Sequence, residues 1–343
     1  MNIWLSGGTE KVLESVVSCL KKEDFRTKIY LYLINPLDKS RYRVPESVIL
    51  VEGIKNLYQL RKLENKTVIN FSGYWKSGAV CFFLFRKYIS WCHNNPFILK
   101  KARSGSINFL FLKKSRKLIC ICNEQKEILQ RTFNFKTDIE MIYNAIDIKA
   151  IEKKASEPIP INFKYILMPA RFELAQKDFI TLIDAYSFLD EEIKNIYKLL
   201  LVGTGPDEEY VKNYVKNNNL QDNVYFIGYD ENPYKWIKNA ELCVLCSNYE
   251  GFSVVVMEIM ANKKPLILTN FQTGAKEVSN NEKNVAIVPI GDAKTLSRKM
   301  KEILEDKQYA QSLSINSYKY AIDNFGIETF NRKIISLMEN YNE

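Results

Sequence analysis

The fold class this sequence predicts is α/β, with two doubly wound domains in series, and three observations predict it. Short apolar runs alternate with amphipathic stretches along the chain, the pattern of strands and helices in turn. The alternation lapses over a polar stretch at 147–161, which holds Lys153, Lys154, Ser156, Glu157, Pro158 and Pro160, and then restarts. The 343 residues suffice for two domains with cores of their own.

In the first half, apolar runs predict strands over 3–5, 28–34, 47–51, 67–71, 88–92, 117–122 and 140–143. Amphipathic stretches predict helices over 10–20, 57–63 and 76–85. In the second half the strands fall at 165–168, 198–202, 224–227, 242–245, 265–268 and 286–288. The helices fall at 178–189, 207–217, 233–238, 254–261, 293–306 and 308–324, and a last helix spans 327–341. The boundaries expected are a first domain over 1–150, a linker over 151–161, a second domain over 162–326 and a terminal segment over 327–343. Two such sheets with facing strand ends put a ligand cleft at the domain junction. Neither repeats nor low-complexity blocks occur.

Composition narrows the class further. No apolar run reaches the roughly 18 residues of a membrane helix. The first eight residues lack a signal peptide's basic start and long apolar core, so the chain reads as cytoplasmic. The seven cysteines fall mostly in strand-like runs such as Leu-Ile-Cys-Ile-Cys, without the second Cys-x2-Cys pair a zinc site wants, and read as buried thiols. Charge is uneven. Residues 1–150 hold 26 Lys and Arg against 13 Asp and Glu, and the remainder holds 23 against 27. The excess is densest at Lys100, Lys101, Arg103 and at Lys113, Lys114, Arg116, Lys117, on either side of the apolar run 107–112. This suits an anionic membrane surface or lipid headgroup; a solvated helix end with a core-facing stripe is the alternative. No nucleic-acid partner is expected.

The most informative segment is 250–258, where Glu250 and Glu258 stand eight residues apart between a strand end and a helix. The spacing is about 12 Å at helical rise. The amides of Gly251, Phe252 and Ser253 fall at the helix start, where N–H groups and the dipole favour an anion. Two carboxylates with an anion site between them fit a sugar nucleotide, with its hexose, diphosphate and ribose. Arg171 and Lys177 flank the end of the strand over 165–168 and can neutralise a diphosphate, or form a surface pair. Gly7 and Gly8 precede a helix and permit close approach to phosphate, a common strand–helix turn. Gly203-Thr204-Gly205-Pro206 lacks the third glycine of a dinucleotide fingerprint and reads as a tight turn near the nucleoside. His93 is the lone histidine, placed after a strand and before Asn94-Asn95-Pro96, so a His-based metal cluster is excluded and no metal site is expected.

Taken in order, these segments resemble the family 4 glycosyltransferases, retaining enzymes of GT-B architecture. The resemblance covers nearly the whole chain and is strongest over 165–277, in Pro-Ala-Arg-Phe, Leu-Leu-Val-Gly-Thr-Gly-Pro, Val-Tyr-Phe-Ile-Gly-Tyr, the Glu-x7-Glu segment and Asn270 to Glu277. Tyr143-Asn144-Ala145-Ile146-Asp147 resembles the family hinge, with Ala145 in place of Gly. The resemblance implies two Rossmann-like domains facing a central cleft. It implies that Arg171 and Lys177 hold the donor diphosphate, with amides of Gly251, Phe252, Ser253 and Val254 adding to that site. Glu250 would bind the hexose hydroxyls and Glu258 the ribose, while His93 would contact the sugar from the opposite domain. Gly7 and Gly8 would approach the phosphates and acceptor, and Tyr229, within 228–230, would lie near the base. The last helix would cross back to the first domain.

The reaction so implied moves a hexose or N-acetylhexosamine from a UDP-sugar by front-face substitution, without metal or cofactor. The acceptor would be a saccharide on polyprenyl diphosphate in O-antigen, capsule or other surface-polysaccharide assembly, reached from the inner face of the cytoplasmic membrane, with a soluble acceptor as the alternative. A nucleotide-sugar 2-epimerase and a non-catalytic binding protein are the rival readings.

Overall fold

A computed structural model of the chain describes residues 8–22, 28–32, 48–51, 54–64, 66–71 and 75–342. The strand expected over 3–5, and Gly7, lie outside the described residues. The chain divides into two compact units, Met1–Ala145 with Ile327–Glu343, and Ile146–Gly326.

The first unit runs α1 (Gly8–Lys22), β1 (Ile29–Tyr32), β2 (Val48–Val51), α2 (Ile54–Leu60), β3 (Ile69–Asn70), α3 (Trp75–Phe85), β4 (Ile89–Cys92), α4 (Pro96–Lys101), α5 (Gly105–Lys114), β5 (Lys117–Cys120), α6 (Asn123–Glu127) and β6 (Asp138–Met141). A π-helical turn, Ile128–Thr132, continues α6. β1 pairs with β2, and β3-β4-β5-β6 form a parallel sheet in that order. β4 is buried at every residue, as expected of a parallel strand covered on both faces. Its core joins Cys92 and Leu118 to Leu99, Phe109, Leu112, Leu129 and Ile139. The seven cysteines are buried thiols, none of them in a disulfide.

Three helices here, α4, α5 and the short α6, were absent from the sequence reading. α4 starts where Asn94-Asn95-Pro96 reads as a turn; Asn95 Oδ1 accepts from the Phe97 amide at 2.9 Å, and Pro96 takes the first helical position, where its missing N–H is harmless. α5 contains the apolar run 107–112. Phe109 and Leu112 are buried while Ile107 and Leu110 stand exposed, so the run is one helix with two faces rather than one stripe.

The second unit runs α7 (Ile148–Ala155), β7 (Lys164–Pro169), α8 (Phe179–Ser187), α9 (Glu191–Ile196), β8 (Tyr197–Val202), α10 (Glu208–Asn217), β9 (Val224–Gly228), α11 (Pro233–Asn239), β10 (Leu242–Leu245), α12 (Val254–Ala261), β11 (Leu266–Thr269), α13 (Ala275–Ser279), β12 (Ala286–Val288), α14 (Ala293–Glu305) and α15 (Lys307–Phe325). Its six strands are parallel in the order β12-β11-β10-β7-β8-β9, the doubly wound order, which reverses between β7 and β10. Phe172 stacks on Phe179 with ring centroids 4.3 Å apart, under the start of α8.

The stretch taken as a structureless linker over 151–161 begins inside α7. Asp147 caps that helix by accepting from the Ala150 amide at 3.0 Å, and Ile151 and Ala155 bury one side. Lys149, Glu152 and Lys153 are its solvated side, which by composition alone resembles coil. Ile146 and Gly326, the two ends of this unit, are paired, and the Ile146 amide donates to the Phe325 carbonyl at 2.9 Å. After Gly326 the chain enters α16 (Ile327–Asn342) in the first unit, where Phe330 packs against Trp91 and the Lys333 ammonium donates to the Met141 carbonyl. Among the described residues no helix is long and apolar enough to cross a membrane.

Candidate active site

In an open parallel sheet the loops at strand C-terminal ends diverge where the strand order reverses, and leave room for a ligand there. In the second unit those are the loops after β7 and β10. They are stitched by backbone bonds: the Asp178 amide donates to the Cys246 carbonyl at 3.0 Å, and the Asn248 amide to the Gln176 carbonyl at 2.8 Å. Lys177 and Ser247 face each other in an isolated antiparallel bridge. This stitching brings Lys177 from one loop against Glu250 from the other.

The two form an ion pair, Lys177 Nζ to Glu250 Oε1, with both residues buried. Ser247 Oγ donates to the same carboxylate oxygen at 2.8 Å, and Gln176 Nε2 donates to Oε2 at 3.2 Å. Lys177 Nζ also reaches Ser247 Oγ at 3.5 Å, the outer limit of a hydrogen bond. Thr273 Oγ1 donates to the Glu250 carbonyl, and Thr269 Oγ1 accepts from the Ser247 amide at 2.8 Å. The pair is therefore fixed from β11 and the loop after it as well as from its own loops. An ammonium has three donors and a carboxylate about four acceptor positions. After these bonds Lys177 keeps one donor, and Glu250 keeps acceptor capacity on Oε2. One buried spot thus offers a cation for an anionic oxygen and a carboxylate for a hydroxyl.

Glu258 lies in the second turn of α12, buried, and accepts from the Tyr234 hydroxyl at 3.0 Å. Ser253 is the cap residue of α12, and its side chain makes no capping bond to the first-turn amides. Phe252 is buried, with its ring over Gly274. A Cβ on Gly274 would lie 2.5 Å from that ring, and the φ of +121° there also requires glycine.

The remaining expected residues fall into place less compactly. Arg171 sits on the same loop as Lys177, but its guanidinium is exposed and pairs with Glu173 at 3.6 Å. Gly203 has a φ of +144°, and a Cβ on it would lie 2.1 Å from the Ala170 carbonyl oxygen. Close packing of two backbones accounts for this glycine. Tyr229 is exposed after β9. Beside it, burial pushes the Asp230 carboxyl up in pKa. Hydrogen bonds from the Asn232 amide, the Trp236 indole and Lys235, with the Lys235 charge, outweigh burial and hold it below the usual range.

In the first unit, Gly8 opens α1. His93 follows β4 and stacks on Trp91 and Phe71, with centroids 5.6 and 5.2 Å away. Among the described residues neither ring nitrogen has a partner. Burial lowers its pKa to about 3, so the imidazole is neutral at pH 7. Gln125 pins this loop by donating to the Asn94 carbonyl at 2.8 Å.

Sequence reasoning missed Ser247, Gln176, Thr269, Thr273 and Tyr234. Ser247 and Gln176 sit beside residues that had been singled out, so a search for donors near Glu250 and Lys177 could have found them. Tyr234 meets Glu258 from another helix, and no local pattern announces that.

The sequence model of the family described as glycosyl transferases group 1 matches residues 149–320. A relative in Campylobacter jejuni, named N-acetylgalactosamine-N,N'-diacetylbacillosaminyl-diphospho-undecaprenol 4-alpha-N-acetylgalactosaminyltransferase, is 32% identical over 167 residues, covering 49% of this chain and 44% of that protein. The chain therefore spans less than half the length of this relative. Anabaena Alr3699/HepE, solved in complex with UDP, superposes with a TM-score of 0.80 at 17% identity, over 99% of this chain and 98% of that one. The lipopolysaccharide outer core galactosyltransferase WaaB superposes with a TM-score of 0.76 at 16% identity, over 100% and 98%. At these identities the likeness shows the fold, two Rossmann-like domains of GT-B type.

The buried pair makes a stability prediction. Glu250→Ala leaves Lys177 as a buried, unpaired cation and should lower the stability of the second unit by about 3 kcal/mol. Combining it with Lys177→Met should recover most of that loss. A double-mutant cycle in urea measures the coupling, and additive effects would show that the two side chains do not depend on each other.

Proposed function

We propose a reaction from the premise that the chain belongs to the group 1 glycosyl transferases, as the family match over half its length shows. In this reading the protein moves a hexose or N-acetylhexosamine from a nucleotide sugar, a UDP-sugar, to a saccharide acceptor borne on polyprenyl diphosphate, in surface-polysaccharide assembly. Transfer keeps the anomeric configuration, as in family 4. The observation that carries the proposal is the buried Lys177–Glu250 pair at the switch point, with Glu258 eight residues on in α12. The name of the Campylobacter relative, with its diphospho-undecaprenol acceptor, and the UDP in the Anabaena structure support the choice of acceptor and donor class.

The spare donor of Lys177, the Arg171 guanidinium and the amides opening α12 meet the charge of the leaving diphosphate. The spare acceptor on Glu250 orients the sugar through a hydroxyl, and Glu258 takes the ribose hydroxyls. The acceptor oxygen bonds to the anomeric carbon on the face that the phosphate leaves. The bond from that carbon to the phosphate oxygen breaks, and the acceptor proton passes to the departing oxygen. The protein supplies charge neutralisation and position, and no metal or protein nucleophile is assigned a role.

Donor hydrolysis and binding across UDP-, GDP- and ADP-sugars test this. One nucleotide sugar should be consumed slowly by the wild-type protein. Glu250→Gln, which keeps the shape of the side chain, should lose most of that turnover, and Lys177→Ala should lower it about 10²-fold. No binding of any nucleotide sugar by folded protein would reject the donor site described. Tyr234→Phe removes the hydroxyl that donates to Glu258. It should weaken nucleotide binding about five- to tenfold with turnover at saturating donor unchanged, the loss of one hydrogen bond to a charged group. Unchanged affinity would detach Glu258 from nucleotide recognition.

A further inference from the structure

We propose that the face built by α3 and α5 in the first unit is a docking surface for an anionic lipid bilayer. The proposal deepens the reading of a lipid-borne acceptor and rests on that reading only for its purpose. Its observations are independent of the second unit.

Between Glu64 and Glu124 the sequence contains no Asp or Glu, while the same stretch holds eleven Lys and Arg. Within it α3 and α5 pack closely at Gly78, where a Cβ would lie 2.6 Å from Phe111 Cβ. The rings of Phe82 and Phe83 meet that of Phe111, with centroids 6.0 and 6.4 Å away. Beside this seam Phe83 is 71% exposed, Leu110 50% and Ile107 46%. Ile107, Leu110 and Lys114 repeat at three- and four-residue spacing, so they share one face of α5. Lys76 and Phe83, seven apart on α3, share a face in the same way.

Cations border these apolar residues. Lys101, Arg103 and Lys114 are exposed. Lys100 lies over the Phe109 ring and donates to Ser106 Oγ at 3.1 Å, and Lys113 lies over Phe135. Exposed aromatic and aliphatic side chains grouped this way mark a surface that meets something apolar. Lys117 is paired with Asp138 and Glu140, and the excess of cations that the stretch leaves around the apolar residues calls for an anionic partner. An anionic bilayer satisfies both demands, with the apolar side chains at the headgroup–acyl boundary and the cations among the headgroups. A second copy of this face would set like charges against each other.

Flotation with vesicles of phosphatidylglycerol and phosphatidylethanolamine, beside vesicles of phosphatidylcholine alone, tests the proposal on the full chain. The wild type should float with the anionic vesicles at low salt and be released as salt rises. Phe83→Ser with Leu110→Ser, and separately Lys101→Glu with Lys114→Glu, should each cut the bound fraction about tenfold while melting midpoints stay at the wild-type value. Absence of wild-type binding to anionic vesicles, or wild-type binding by both variants, overturns the proposal. A wild-type dimer that the serine pair turns into a monomer gives the face to a second copy and overturns it too. The assay contains no sugar nucleotide, so its failure leaves the proposed transfer reaction standing, and failure of the donor panel leaves the vesicle result standing.

Discussion

The buried Lys177–Glu250 ion pair is the interaction on which the geometry of the second unit's site depends. Taking two charges out of water costs several kcal/mol for each, and their attraction offsets this only when the remaining donors and acceptors are met. Three features meet them here. Backbone bonds between the β7 and β10 loops fix the distance between the two side chains. Ser247 and Gln176 bond to the two carboxylate oxygens. Thr269 and Thr273, on and just after β11, hold the backbone of the Ser247–Glu250 segment. The strand order supplies the setting, since its reversal between β7 and β10 gives these loops open space at the strand ends.

How far the sequence disclosed this follows from what each signal depends on. The strands of the second unit were legible because parallel strands covered on both faces are continuous apolar runs, as in 242–245. Lys177, Glu250 and Glu258 were legible because each lies at a strand end or on a helix start that local pattern reveals. The partnership of Lys177 with Glu250 was not, since it links loops 73 residues apart. Gly203 was read toward a ligand, but the Ala170 carbonyl that demands glycine there is a tertiary neighbour. α7 was lost to composition, as its polar face outnumbers the buried Ile151 and Ala155. His93 was placed correctly after a strand, yet its stacking on Phe71 and Trp91, and the burial that keeps it neutral, need coordinates.

The two units handle charge in opposite ways. In the second unit Lys177 is buried against a carboxylate, so its field is local, its position fixed and its sensitivity to salt small. In the first unit the cations are numerous and mostly exposed, and the stretch between Glu64 and Glu124 has no acid of its own, with Lys117 paired to Asp138 and Glu140 of β6. Each is weak alone, because water and salt screen an exposed charge within about 8 Å at physiological ionic strength. Their sum makes a broad attraction for anions without choosing one.

This contrast assigns different tasks to burial and to number. A ligand that must be held in one pose for bond exchange needs the buried arrangement, where a displaced hydroxyl or phosphate oxygen loses a specific partner. A surface that must find and stay near an anionic layer needs many exposed cations with apolar side chains among them, and tolerates loose orientation. Salt separates the two experimentally, because it weakens the second kind of contact while leaving the first nearly intact. Both demands come from anionic phosphate, which in the proposed reaction is the diphosphate of the donor and on the proposed docking face is the headgroup of a bilayer lipid.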